Sequence, residues 1–106
     1  ESMHIFNRLK HGSFQRWNIE GNLTLGCSYE FGKLHGILDE YYDDKTVKRR
    51  SSYHLDLLHG GHYEFYPHGN LSRQSMYNLG FEHGLCKKWY ENGQIKSNTR
   101  KINYLV

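Results

Sequence analysis

Aromatic and aliphatic positions recur along this chain with a period of 24 residues. The period is marked by the dipeptide His-Gly, which occurs at His11-Gly12, His35-Gly36, His59-Gly60 and His83-Gly84. These positions divide the chain into units 11–34, 35–58, 59–82 and 83–106, and residues 4–10 fit the second half of an earlier unit. Fixed self-similarity of this length is the signature of a repeat architecture. The sequence therefore predicts one domain, 4–106, built as an array of repeats.

Each unit keeps its chemistry at a few equivalent positions. The seventh position is aromatic in Trp17, Tyr41, Phe65 and Trp89, and the eighth is Asn18, Tyr42, Tyr66 and Tyr90. The thirteenth is aliphatic in Leu23, Val47, Leu71 and Ile95. Aromatic and β-branched residues favour strands, and side chains alternate between faces along a strand. The pattern predicts two strands per unit, with positions seven and thirteen forming a ladder on one face.

The polar segments between these runs predict the turns. Pro67-His68-Gly69 and Glu91-Asn92-Gly93 are typical of a type I turn closed by a left-handed glycine, which makes a three-residue hairpin loop. The second unit has Asp43-Asp44-Lys45 and lacks that glycine. A second turn, such as the segment 77–84, is expected to join one hairpin to the next. The predicted fold is all-β: an elongated, single-layer antiparallel meander of tandem hairpins.

Composition adds limits to this picture. Only 37% of residues are apolar but 15% are aromatic, so stacked aromatics between hairpins are expected to supply most of the stability. A net charge of +3 is too small to indicate a nucleic-acid partner, and no specific one is expected. Two cysteines, Cys27 and Cys86, fit a reducing compartment and predict a cytoplasmic protein without a disulfide framework.

The segment 83–96, HGLCKKWYENGQIK, resembles the variant form of the MORN repeat, whose units read Gly, several residues, Trp-Tyr-x-x-Gly and then an aliphatic residue. The resemblance extends from about residue 4 to 106 and is strongest in the third and fourth units. The first unit departs from it at Asn18 and the second at Lys45. The resemblance implies a sheet without a separate globular core, used as a protein-binding surface or a dimerisation rod. The resemblance also implies contact with phosphoinositides, which has been proposed for other MORN proteins.

The aromatic positions predict the binding surface. A single-layer sheet cannot hide both faces, and exposed rows of Tyr and Trp are favoured at protein interfaces. The predicted protein-binding residues are Tyr41, Tyr42, Phe65, Tyr66, Trp89 and Tyr90. The predicted function is a non-enzymatic protein-interaction or scaffolding module, with a protein partner or a second copy of the chain as its ligand.

Basic residues in the second unit support a competing prediction. Lys45, Lys48, Arg49 and Arg50 lie close in sequence to two tyrosines, and such a cluster suits a phosphate group. The alternative function is therefore a peripheral phospholipid- or phosphate-binding module, with a membrane lipid headgroup as partner. Lysine and arginine on strands also protect sheets from edge-to-edge aggregation, and Asp39, Glu40, Asp43 and Asp44 offset the cluster. The sequence leaves both interpretations open.

Metal binding and catalysis are not favoured. Equivalent residues of neighbouring units lie about 10 Å apart, whereas zinc ligands lie about 2 Å from one ion. The His-Gly histidines are therefore expected to bond turn backbone, and His59, His62 and Cys86 are the nearest approach to a local cluster. Ser51 and Ser52 lie near His54, but neighbours on a strand face opposite sides. The sequence indicates no catalytic residue, metal ligand or cofactor.

Overall fold

All regular structure in the described part of the chain is β. A computed structural model describes residues 2–6 and 9–101, with side chains from 11 to 101. Within these residues the strands are β1 (Ser2–Phe6), β2 (Leu9–Trp17), β3 (Leu23–Glu30), β4 (Lys33–Leu34), β5 (Gly36–Tyr41), β6 (Val47–His54), β7 (Leu57–Phe65), β8 (Leu71–Asn78), β9 (Phe81–Glu82), β10 (Gly84–Trp89) and β11 (Ile95–Lys101). This part of the chain contains no helix with the length and apolarity needed to cross a membrane.

The strands form one open antiparallel sheet in the order β1-β2-β3-β5-β6-β7-β8-β10-β11, with β4 paired to β3 and β9 paired to β8. The sheet extends 44 by 43 by 13 Å, so it is a single layer about as broad as it is long. This confirms the predicted all-β, single-layer antiparallel meander of hairpins, although the sheet is not elongated as expected, because nine described strands side by side span about the length of one hairpin. Of the segments assigned to repeats, residues 7 and 8 and residues 102–106 lie outside the described part of the chain.

The pairing register returns with the sequence period. Equivalent cross-strand pairs open the four hairpins, at Gly12 and Tyr29, Gly36 and Tyr53, Gly60 and Tyr77, and Gly84 and Lys101. Each three-residue loop ends on a residue with positive φ: Gly21 (87°), Lys45 (75°), Gly69 (100°) and Gly93 (90°). In the third loop the Gly69 N–H donates to the Tyr66 carbonyl at 2.9 Å. Lys45 therefore adopts, without a glycine, the backbone conformation that its three equivalents adopt with one.

In the first three units the second turn is tighter than the sequence predicted. It is a two-residue turn with positive φ at both positions, at Phe31-Gly32, Leu55-Asp56 and Leu79-Gly80. The predicted turn over 77–84 is therefore wrong in extent, because Tyr77 already pairs with Glu82 across Leu79-Gly80. The His-Gly pair lies instead at an irregularity between short β9 and β10, where the His83 N–H donates to the Met76 carbonyl at 2.8 Å.

The most buried side chains form one narrow row rather than an aromatic core. Fourth and seventeenth positions pair across every hairpin, at Phe14 and Cys27, Leu38 and Ser51, His62 and Ser75, and Cys86 and Thr99. Phe14, Cys27, Ser51, Ser75 and Cys86 are buried. We call the face that carries this row the inner face, and the opposite one the outer face. Tyr29 and Tyr77 pack edge-on against Phe14 and His62, with ring centroids 6.2 and 5.9 Å apart.

Candidate functional site

The predicted aromatic ladder is present at one end of the hairpins. Positions seven and thirteen pair in every unit, at Trp17 and Leu23, Tyr41 and Val47, Phe65 and Leu71, and Trp89 and Ile95. Of the six predicted protein-binding residues, Tyr90 is 50% exposed and the other five are half-buried. The ladder therefore combines packing with partial exposure, and its most open end lies in the fourth unit.

Two tyrosines beside the ladder, at the eighth position, join neighbouring hairpins. The Tyr42 hydroxyl donates to the Phe65 carbonyl at 2.7 Å, and the Tyr66 hydroxyl donates to the Trp89 carbonyl at 2.6 Å. In the first unit Asn18 takes this position, and its Oδ1 accepts the N–H groups of Glu20 and Asn22, both at 3.0 Å. The eighth position therefore has a structural role in each of these units. The sequence had predicted both packing and binding for its tyrosine rings, but not the hydrogen bonds of their hydroxyl groups.

An open cleft of about 310 Å³ lies where the third and fourth hairpin loops meet. It is lined by Asn70, Leu71, Trp89 and Gly93. Trp89 thus presents an indole to the solvent side of the ladder, beside the leucine of the preceding unit. Large aromatic side chains that combine apolar area with a polar tip are favoured anchors in protein interfaces.

The four predicted anion-binding residues do not come together. Arg49 pairs with Glu40 at 3.2 Å, and Arg50 pairs with Asp39 at 2.7 Å. As neighbours on β6 the two arginines point to opposite faces. The hydrogen bond and charge of Asp39 raise the pKa of Arg50. The Lys48 ammonium lies 5.7 Å from the ring centre of Tyr42, and Lys45 lies in the loop.

A hydroxyl, an imidazole and a carboxylate lie in line on the inner face. The Ser51 Oγ lies 2.7 Å from the His62 Nδ1, and the His62 Nε2 lies 3.0 Å from the Glu64 Oε2. The Ser51 side chain is only 1% exposed, so its hydroxyl is closed to a substrate. The arrangement satisfies buried polar atoms. Nothing in the sequence pointed to this arrangement, because Ser51 and His62 meet only through the register of β6 with β7.

A second polar network continues along the same face. Arg73 donates from Nη2 to the Glu82 Oε1 at 2.9 Å and from Nε to the Ser75 Oγ at 3.0 Å. Burial alone would raise the pKa of Glu82, but the hydrogen bond and charge of Arg73 outweigh it and lower that pKa. The Ser75 Oγ is in turn 3.5 Å from the Cys86 Sγ. These contacts bind β8 to β9 and β10.

Histidines on the outer face accept hydrogen bonds from turn backbone and pack ring against ring. The His59 Nδ1 accepts the Leu79 N–H at 3.1 Å, which is the role expected of the His-Gly histidines. The His54 ring lies between the rings of His35 and His59, with centroid distances of 5.1 and 6.1 Å. The imidazole rings of neighbouring units are therefore closer together than the 24-residue spacing suggested. Among the described residues no group of three or more His, Cys, Asp or Glu side chains has the geometry to hold a metal, including the set His59, His62 and Cys86.

A row of bulky apolar side chains follows the two-residue turns. Its members, which we call the turn edge, are Phe31 (53% exposed), Leu55 (38%), Leu57 (46%), Leu79 (45%) and Phe81 (52%). Sequence reasoning missed this row. A signal was available, since position 21 is Phe31, Leu55 and Leu79 in three successive units.

The open sheet of repeated hairpins is that of a β-repeat protein. Residues 82–99, which span β10 and most of β11, match the family model described as the MORN repeat variant. The match confirms the resemblance to MORN repeat proteins found in the sequence. No curated protein and no solved structure matches the chain. Proteins with MORN repeats are generally non-enzymatic modules that bind proteins or membrane lipids.

Proposed function

We propose that this chain is a non-enzymatic protein-interaction module that presents exposed apolar side chains on a single-layer sheet. The observation that carries the proposal is the distribution of apolar residues. In the described part of the chain twelve large hydrophobic side chains are exposed, whereas three hydrophobic residues, Phe14, Cys27 and Cys86, are buried. Exposed apolar side chains that lie side by side, as those of the turn edge do, mark interaction sites. The sheet, already ordered, avoids the entropy cost of folding on binding.

The same structure gives less support to the phosphate-binding alternative. A phosphate site needs cationic groups that converge on one point. Arg49 and Arg50 are each paired to a carboxylate, on opposite faces. Of the remaining pair, Lys48 lies over the ring of Tyr42 and Lys45 lies in the loop, so the two ammonium groups are not held toward a common point. The apolar surface is therefore the stronger basis for a function, and a cytoplasmic location remains part of the proposal.

Capture from a lysate of the source organism tests this function. The immobilised chain is exposed to lysate at low salt and at about 1 M salt, where the screening length is about 3 Å. We expect defined proteins to stay bound at high salt. The Trp89→Ala variant, which lacks the indole that lines the cleft with Asn70 and Leu71, should fail to retain them. Gln15→Ala is the control, because it removes an exposed polar side chain from the first unit. The proposal would be overturned if the captured proteins were all released at high salt, or if the chain retained only lipid.

A further inference from the structure

The turn edge carries its apolar side chains in an unfavourable backbone conformation. Phe31, Leu55 and Leu79 have φ angles of 50°, 46° and 45°. This left-handed region is unfavourable for bulky side chains, and Gly, Asn and Asp are the residues that normally adopt it. Three equivalent turns repeat the same departure, which makes it a property of the array and not of one loop.

Stability alone would select a different residue here. Two-residue turns with positive φ at both positions prefer Asn-Gly. Gly32 and Gly80 already supply the second residue of that pair. A single change at Phe31 or Leu79 would complete it, yet the chain keeps a bulky apolar residue and exposes it. Strain retained at exposed positions is a pointer to function.

The three turns are fixed to one another. The Asp56 N–H donates to the Leu34 carbonyl at 2.8 Å, and the Gly80 N–H donates to the Leu58 carbonyl at 2.6 Å. A Cβ on Gly80 would lie 3.4 Å from the Leu57 Cδ2, so neighbouring turns are in contact. Successive turns are two strands apart, which is about 9.5 Å. Because the sheet is only 13 Å thick, the turn edge departs little from the plane of the sheet.

The charges along this edge are unequal. The Asp56 carboxylate accepts the Leu34 N–H at 2.7 Å, Glu82 is held by Arg73, and Glu30 lies 3.5 Å from His35. Lys33 is exposed and forms no ion pair with any described residue. The cation is thus available to a partner, whereas the carboxylates are engaged. A partner with acidic groups beside its apolar residues is complementary.

We propose that the turn edge binds one amphipathic α-helix of a partner protein, with apolar residues that recur every seven positions and acidic residues beside them. This inference rests on the proposed function and specifies its partner. Seven helical residues rise about 10.5 Å, close to the spacing of the turns. Same-face residues of a β-strand recur at about 6.7 or 13.4 Å and do not fit.

Two other occupants fit the edge less well. A second copy of this sheet packed edge to edge would bring no free carboxylate to Lys33, because the carboxylates of the turn edge are already engaged. A polyproline II segment repeats at about 9.3 Å, but it docks into grooves lined by aromatic rings. Three of the five residues of the turn edge are instead leucines, which suit the apolar face of a helix. A single helix therefore fits best.

The test combines a stability and a binding measurement on one variant. The probe is a synthetic helical peptide of about three heptads, with a leucine stripe and flanking glutamates. Its affinity for the full chain is measured by fluorescence anisotropy. The double variant Phe31→Asn with Leu79→Asn is expected to melt several degrees higher, about 5 °C, and to bind the probe at least about tenfold more weakly. A variant that is stabilised and still binds normally would overturn the proposal.

Controls separate this inference from the function on which it rests. A peptide of the same composition with its leucine stripe scrambled is expected to bind at least about tenfold more weakly than the probe. Ile19→Asn removes an apolar side chain that is fully exposed and lies in the first three-residue loop, at the opposite end of the hairpins, and it is expected to leave binding unchanged. Preference for a proline-rich peptide or for anionic vesicles would overturn the helix assignment. If the double variant still captures the same lysate proteins, this inference fails while the interaction function stands.

Discussion

The Tyr66 hydroxyl donates a 2.6 Å hydrogen bond to the carbonyl oxygen of Trp89 and so joins the third hairpin to the fourth. Tyr42 makes the equivalent 2.7 Å bond to Phe65. Because the sheet has one layer, such contacts between neighbouring units must replace those that a second layer would supply. The eighth position of the repeat therefore links units through its polar end.

Replacing Tyr66 by Phe should weaken the array at this link. The change keeps the ring but removes the donor, and it leaves the Trp89 carbonyl without that partner. We expect the free energy of unfolding to fall by about 1 kcal/mol, as measured by urea denaturation. Tyr90→Phe is the matched control: this ring is 50% exposed, and we expect a change within about 0.5 kcal/mol. Equal losses in the two variants would contradict a linking role for the hydroxyl.

Replacing Lys45 by Gly should stabilise the second hairpin loop. Lys45 has φ 75°, a conformation that its equivalents adopt as glycine. Relief of the strain is offset in part by the greater freedom of glycine in the unfolded chain, so we expect a gain of about 0.5–1 kcal/mol. The reverse change, Gly93→Ala, adds a Cβ into open space at φ 90° and should destabilise by a similar amount. If both changes destabilise, backbone strain does not govern these loops.

Replacing Ser51 by Ala should destabilise more than replacing its neighbour. Ser51 is buried and bonded to His62, so its loss leaves an imidazole nitrogen without that partner. We expect a cost of about 1–3 kcal/mol. Ser52 is half-buried on the opposite face, and Ser52→Ala should cost no more than about 0.5 kcal/mol. Denaturation curves of the two variants, recorded side by side, decide the matter.

Alkaline pH should destabilise the sheet through its tyrosines. Burial is the first cause of a raised pKa at Tyr29, Tyr41, Tyr53 and Tyr77. The folded chain then holds these phenolic protons to a higher pH than the unfolded chain, whose tyrosines titrate near pH 10. Their stabilising effect is full below about pH 9 and declines as the pH rises through 10 and above.

Unfolding free energies measured from about pH 8 to 11 test this linkage. Tyr53→Phe removes one of the four titrating groups and should make the alkaline decline shallower. A decline of unchanged steepness in this variant would assign the effect to other groups.

Most of the fold could be predicted from the repeat period. Position seven and position thirteen pair in every unit as their chemistry indicated, and Gly69 and Gly93 close the predicted loops. The two-residue turns were missed because their signal is Asn-Gly or Asp-Gly, whereas Leu79-Gly80 puts a bulky residue first. Local preference could not locate a turn that the chain forms against it.

The contacts of the site depended on register, which the sequence did not provide. Arg50 and Asp39 are eleven residues apart and become cross-strand partners, which removes the arginine from the predicted basic cluster. His54 enters the space between His35 and His59 from a position that does not share their period. The repeats therefore showed which residue type occupies each position. The strand pairing decided which charges are neutralised and how far apart the side chains lie.

Site-specific photocrosslinking in a cell lysate tests the central claim most directly. A photoreactive amino acid is placed at Phe81 on the turn edge, at Tyr90 beside the aromatic ladder, and at Gln15, an exposed polar position, as the control. If exposed apolar side chains form a protein-binding surface, Phe81 or Tyr90 will yield discrete protein adducts and Gln15 will not. Adducts that are absent at both apolar positions, or the same at all three, would contradict the account.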